Sequence, residues 1–170
     1  MMKISNYLKI AAVGAALLVS ACTSKPAAVE TAPPPVSNTT TTTSSIVPGS
    51  AEDLRVNVGD TVHFDYDAYA VTDEGRATLQ RQAAWLAKYP SVRITVEGHC
   101  DERGTREYNL ALGARRANAV KEYLVSLGIS SGRLDTISYG KERPICTESD
   151  ESCYAQNRRG VSTITGGASS

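Results

Sequence analysis

The chain offers few of the residues that narrow a function at sight. Its 170 residues include one Trp, one Phe and two His, and 18 basic and 18 acidic side chains cancel to zero net charge. Without a basic excess there is no electrostatic footprint for nucleic acid, and without a block of acidic residues there is no solvating tail. The two histidines, His63 and His99, stand on separate segments. His99, Cys100 and Asp101 are consecutive, a spacing from which side chains seldom all turn toward one ion, so no metal or cofactor is expected. Catalytic spacing is missing too: Cys100 beside His99, or Asp101 beside Glu102, point apart along one strand with no third group to orient them.

What is present comes in segments. Lys3 and Lys9 precede the apolar run Ile10–Val19, and Val19-Ser20-Ala21 leads into Cys22. The run is short for a spanning helix, which takes about 20 residues, and the small residues before the cysteine predict a signal peptide over 1–21. Residues 22–50 hold Pro33–Pro35 and Thr39–Thr43 with almost no large apolar side chains, so they cannot build a core and are expected to form an extended, disordered tether. Fully stretched, Thr23–Ser50 would reach roughly 90 Å at about 3.3 Å per residue.

A folded domain is expected over 54–165, with 166–170 as a disordered tail. Val56 and Val58 suggest a short first strand, Gly59-Asp60 a turn, and Thr61–Tyr66 a strand in which Val62, Phe64 and Tyr66 alternate with polar residues. Thr72 can cap a helix that runs to about Tyr89, with Leu79, Ala83, Trp85 and Leu86 on its apolar face and Pro90 stopping it. Val92, Ile94 and Val96 then alternate with Arg93, Thr95 and Glu97, the period of a strand with one buried face, ended by Gly98. Thr105 caps the next helix, Leu110, Gly113, Ala117, Val120, Leu124 and Leu127 form its stripe, and Gly128 closes it. Leu134–Gly140 reads as a strand, Lys141–Pro144 as a turn, and Asn157–Ile164 as the last helix end and strand. This alternation predicts one sheet, at least partly parallel, with helices packed on it.

The polar residues of the central segment bear on function. Asp101 falls in the loop at the end of a strand, while Arg116 lies at the border of the helix stripe beside Asn109, and Arg115 points to solvent. A carboxylate and a guanidinium held apart on rigid elements can read a zwitterion, the first accepting from an ammonium and the second clamping a carboxylate. They can equally pair with each other and pin the loop.

Three ordered motifs carry a family resemblance: EGHCDERGTREYNLALGARRANAV at Glu97–Val120, SYGKERP at Ser138–Pro144 and NRRGV at Asn157–Val161. Over about Val56 to Ile164 the chain resembles the OmpA-like peptidoglycan-binding domain family. The resemblance implies an α/β (α+β) sandwich with a mixed four-stranded sheet, and a non-catalytic domain that binds cell wall. It implies that Asp101 and Arg116 hold the zwitterionic end of meso-diaminopimelate in the stem peptide, with the Tyr66-Asp67-Ala68 backbone lining the pocket opposite, and so favours the ligand reading of the pair. Asn109 is expected to fix the loop by hydrogen bonds, with direct ligand contact also open.

The residues before Cys22 resemble a bacterial lipobox, which would make Cys22 the lipidated first residue. Three acyl chains there would anchor it almost irreversibly at about 0.8 kcal/mol per buried methylene, and Thr23 in place of Asp favours the outer membrane. The family also implies TolB and other Tol proteins as periplasmic partners, in envelope integrity and division. A general wall anchor outside that system and a wall-lytic enzyme are the rival readings. With Cys22 lipidated, Cys146 and Cys153 are expected to form a disulfide, two free thiols being the alternative, and Cys100 is left over. Arg116→Ala is expected to abolish wall binding while melting stays cooperative.

Overall fold

The computed structural model describes residues 46–169. The expected signal peptide, Cys22 and most of the tether lie outside the described residues. The order is α1 (Ala51–Asp53), a π-helical turn (Leu54–Val58), β1 (Thr61–His63), α2 (Asp73–Lys88), β2 (Arg93–His99), α3 (Arg106–Ser126) and a 3-10 turn (Ser131–Arg133), followed by β3 (Leu134–Gly140), α4 (Glu151–Asn157) and β4 (Arg159–Gly166). The four strands form one sheet in the order β1-β4-β2-β3. β2 and β3 are parallel, joined through α3, and β4 runs antiparallel to both β1 and β2. The expected mixed sheet with packed helices is the observed architecture.

The local signals for the long elements act as read. Thr72 Oγ1 accepts from Gly75 N and Thr105 Oγ1 from Tyr108 N, satisfying amides that open α2 and α3. Gly128 takes a left-handed φ of 95° just past α3, where a side chain would be strained. Val92, Ile94 and Val96 are buried in a core shared with Leu79, Leu86, Ala117, Val120, Leu124 and Leu134. Helices α2 and α3 therefore bury their apolar faces against one another and the sheet.

Several boundaries differ from expectation. Leu110 is only partly buried and Leu127 is exposed, whereas Leu112 and Arg116 are buried, so the covered face of α3 is rotated toward the end of β2. Strand β2 runs one residue beyond Gly98, to His99. Strand β1 stops at His63; Phe64 N still donates to Arg158 O, but Tyr66 is exposed and Asp67 turns the chain with φ 54°. The tail is tied down: Ser91 Oγ donates to Gly167 O at 3.0 Å and Ser169 N to Gly49 O at 3.3 Å.

Val56 and Val58 form a π-helical turn, not a strand. The cause lies just upstream, where Ser50 Oγ accepts from Asp53 N and starts a helix ahead of the expected domain boundary at Leu54. The buried Asp53 carboxylate accepts from Gly49 N, Asn57 Nδ2 and Trp85 Nε1, each at 2.8 Å, fastening the turn to α2. Asp53→Ala leaves buried donors unpaired and is expected to cost about 2–3 kcal/mol in urea unfolding. The bond from Asn57, then that from Gly49 N, then that from Trp85, hold the Asp53 carboxyl below its ordinary value, against burial. The stability this gives is present above the unfolded carboxyl pKa and is lost as pH falls through the depressed folded value. Melting temperature should thus fall more steeply below about pH 4 in the parent than in Asp53→Asn.

Candidate functional site

Two glycines set where the site forms. A β-carbon on Gly98 of β2 would stand 1.9 Å from Gly113 O of α3, and one on Gly113 would stand 2.3 Å from Ser138 Oγ of β3. Backbone therefore touches backbone, and α3 lies hard on the sheet. Arg116, about one turn beyond Gly113, is brought under the end of β2, where the chain leaves the sheet toward Asp101.

Arg116 is 0% exposed, and its guanidinium gathers three backbone carbonyls from two segments. Nε donates to Ala68 O at 2.8 Å, Nη1 to His99 O at 2.9 Å and Nη2 to Asp65 O at 3.1 Å. The Phe64 ring stacks 5.2 Å from its charge centre. Burial draws the guanidinium pKa below its ordinary value, opposed by the Cys100 and Asp101 groups beside it. It stays charged, because an arginine begins so far above neutrality.

Asp101 is 5% exposed and does not pair with Arg116. Its Oδ1 accepts from Arg103 N and Nε, both at 3.1 Å, and its Oδ2 from Arg103 Nη2 at 2.6 Å and Arg158 Nη1 at 3.4 Å. Burial, the largest single influence, pushes this carboxyl up, yet the Arg103 bonds and Arg158 together hold it below its usual value. Arg158 also donates to Phe64 O at 3.0 Å and to Glu151 Oε1 at 2.6 Å.

A cavity of about 520 Å³ opens above this pair, lined by Tyr66, Asp67, Cys100, Asp101, Arg103, Gly104, Thr105, Tyr108, Asn109, Leu112 and Arg116. Of the expected site residues, Tyr66, Asp67, Asp101, Asn109 and Arg116 line it. Ala68 is not among the lining residues and contributes its carbonyl to Arg116. Asn109 holds the loop, with Nδ2 donating to Arg103 O at 2.7 Å and Thr105 O at 3.0 Å. The Asp67 side chain accepts from the Tyr108 hydroxyl, linking the β1–α2 loop to α3.

The remaining sulfur and imidazole groups are held inside the fold. Cys100 is buried and its Sγ donates to Asn109 O at 3.3 Å; burial pushes its thiol pKa up despite nearby Arg116. His99 is buried against Glu97, Nε2 to Oε2 at 3.3 Å, and burial, then Arg159, depress its pKa. Cys146 and Cys153 form a disulfide that joins the loop before α4 to α4 itself. No group of three His, Cys, Asp or Glu side chains suited to a metal occurs among the described residues.

Reading the sequence singled out Asp101 and Arg116 but missed Arg103, Arg158, Tyr108 and Glu151. Arg103 and Arg158 sit inside the quoted motifs GHCDERG and NRRGV. Charged residues in loops carry no periodic signal, so nothing separated these from solvated ones.

Residues 63–158 match the OmpA family. The chain belongs to that family. It is 60% identical to the peptidoglycan-associated lipoprotein of Rhizobium meliloti over 123 residues, 72% of this chain and 69% of that protein. It is 49% identical to the peptidoglycan-associated lipoprotein of Mesorhizobium japonicum over 164 residues, 96% of this chain and 95% of that protein. Among solved structures, that of the peptidoglycan-associated lipoprotein from Burkholderia pseudomallei is similar with a TM-score of 0.61 at 43% identity, covering 62% of this chain and 90% of that one. The C-terminal domain of Helicobacter pylori MotB is similar with a TM-score of 0.59 at 25% identity, covering 62% of this chain and 84% of that one.

Proposed function

We propose that this protein is a non-catalytic lipoprotein that ties the outer membrane to peptidoglycan by binding meso-diaminopimelate of the stem peptide. The observation that carries the reading is one cavity bordered by a buried carboxylate and a buried guanidinium that are not spent on each other. The free end of meso-diaminopimelate bears an ammonium and a carboxylate on one carbon, and Asp101 and Arg116 offer the complementary charges. Three of the five guanidinium N–H groups hold backbone carbonyls, leaving two for a carboxylate. Tyr66 and Asp67 form the opposite wall, Ala68 holds Arg116 in place, and Asn109 keeps the Arg103–Thr105 loop in shape.

Cys22 carries the lipid and the domain faces the periplasm in this reading. Similarity to the Mesorhizobium lipoprotein across 96% of the chain supports it. A non-catalytic role fits the buried Cys100 thiol, whose raised pKa disfavours the thiolate a nucleophile needs. We place the protein in the Tol–Pal system, with TolB as a partner in envelope integrity and division. Co-purification with TolB tests that placement, and a chain that anchors wall without retaining TolB would be a general wall anchor.

Calorimetric titration tests the site. The mature chain carrying Cys22→Ser should bind meso-diaminopimelate muropeptides and reject lysine-type ones, which lack the carboxylate meant for Arg116. Asp101→Ala should weaken binding about ten-fold or more, the worth of one charge-assisted hydrogen bond. Equal binding of both muropeptides, or none of either, would sink the assignment.

A further inference from the structure

The Asp101 carboxylate is full. A carboxylate has about four acceptor positions, and Asp101 uses them on Arg103 N, Nε and Nη2 and on Arg158 Nη1. An incoming ammonium can bond here only by displacing a donor already in place. The donors differ sharply in how firmly they are held.

Arg158 is locked. Its side chain is buried, and withdrawing it would strip the donors from Phe64 O and from Glu151. The Arg103 amide is fixed as well, because Arg103 O is gripped by Asn109 Nδ2. The Arg103 side chain is different: it is 34% exposed and lies between the rings of Tyr66 and Tyr154, 4.2 and 4.3 Å from their centroids. Its Nη1 already stands 3.5 Å from Glu151 Oε2. Moving toward Glu151 within this aromatic slot leaves Asp101 yet keeps the guanidinium stacked and paired.

We propose that the Arg103 side chain is a resident competitor for the ligand's ammonium, handed from Asp101 to Glu151 when the stem peptide binds. This rests on the wall-anchor reading of the same cavity. Binding is then an exchange: one cation leaves Asp101 as another arrives. A simple amine displaces Arg103 poorly because it brings one contact, whereas a zwitterion adds its carboxylate on Arg116. Arg103 thereby raises selectivity at the expense of affinity.

A double-mutant cycle decides it, using the mature Cys22→Ser chain and a meso-diaminopimelate muropeptide. Arg103→Ala should tighten binding about five-fold or more, and Glu151→Gln, which keeps an acceptor for Arg158, should weaken it about two- to five-fold. In the double variant affinity should match Arg103→Ala alone, because the receiving carboxylate matters only while Arg103 is there. Weaker binding by Arg103→Ala would make Arg103 a ligand contact and overturn the proposal, as would an equal Glu151→Gln effect in both backgrounds. Should Arg103→Ala unfold, the Arg103 Nε–H resonance of the otherwise unchanged chain decides: it should shift on saturation, and a stationary signal overturns the handover. Binding of meso-diaminopimelate muropeptides with rejection of lysine-type ones by the otherwise unchanged chain establishes the underlying site independently, and a chain that binds no muropeptide at all overturns both readings.

Discussion

Gly98→Ala is expected to lower the melting temperature by about 10 °C or more, because overpacking that backbone cannot relieve sits at or above about 3 kcal/mol. The new methyl would meet Gly113 O at 1.9 Å, Gly113 C at 2.6 Å and Gly113 Cα at 3.0 Å, so no side chain can swing aside. Nor can α3 simply turn, since Gly113 already faces Ser138 Oγ on the neighbouring strand. The helix must lift, opening the layer in which Val96, Ala117 and Val120 pack. Lifting it also draws Arg116 away from the Asp101 loop, so on the proposed wall-anchor reading muropeptide binding should fall with stability. Gly132→Ala is the control: its β-carbon would have only Ser130 Oγ within reach, at 3.8 Å, and melting should hardly change. Scanning calorimetry on both variants suffices, and a fall of less than about 2 °C in Gly98→Ala would show that the helix and sheet are looser than drawn.

Arg116→Ala should cost about 3–5 kcal/mol of stability and, on the proposed wall-anchor reading, wall binding as well; the stability figure is in the range for removing one member of a buried charged network. On sequence grounds this variant is expected to lose binding while unfolding stays cooperative. The structure adds a second effect, since Ala68 O, His99 O and Asp65 O would each lose the guanidinium's hydrogen bond, Asp65 O keeping only that from Ala68 N, and a large void would open beside Phe64. These carbonyls belong to two segments that, among the described residues, no other single side chain joins by bonds to both backbones. Arg116→Lys restores the charge but not the planar fork, and a point-like ammonium should recover only part of the stability. Urea unfolding of the three proteins checks the ordering, and an Arg116→Ala midpoint equal to the parent would contradict the organising role.

Much of the fold was legible because its signals are local. The alternation in β2, the caps at Thr72 and Thr105 and the turn at Gly128 each involve residues a few positions apart. Caps and periodicity act through neighbouring backbone groups, which is why these elements are readable from the sequence. Val56 and Val58 misled for the complementary reason: two β-branched residues suggest a strand, but Asp53 bonded to Trp85, 32 positions away, holds that segment helical. The tail misled similarly, since its small polar residues gave no sign of the partners at Ser91 and Gly49.

The sequence by itself determined the alternating elements, the glycines that let α3 meet β2, and the placing of a carboxylate and a guanidinium at the end of one strand and on the face of the next helix. Only the tertiary structure decided which partners those charges take. Arg116 spends three of its five N–H groups on carbonyls from 65–68 and 99, and Asp101 is filled by Arg103 and Arg158 rather than by Arg116. A charged side chain takes whichever partners the fold leaves within hydrogen-bond reach once water is excluded, and that choice depends on distances across the chain which no local pattern encodes.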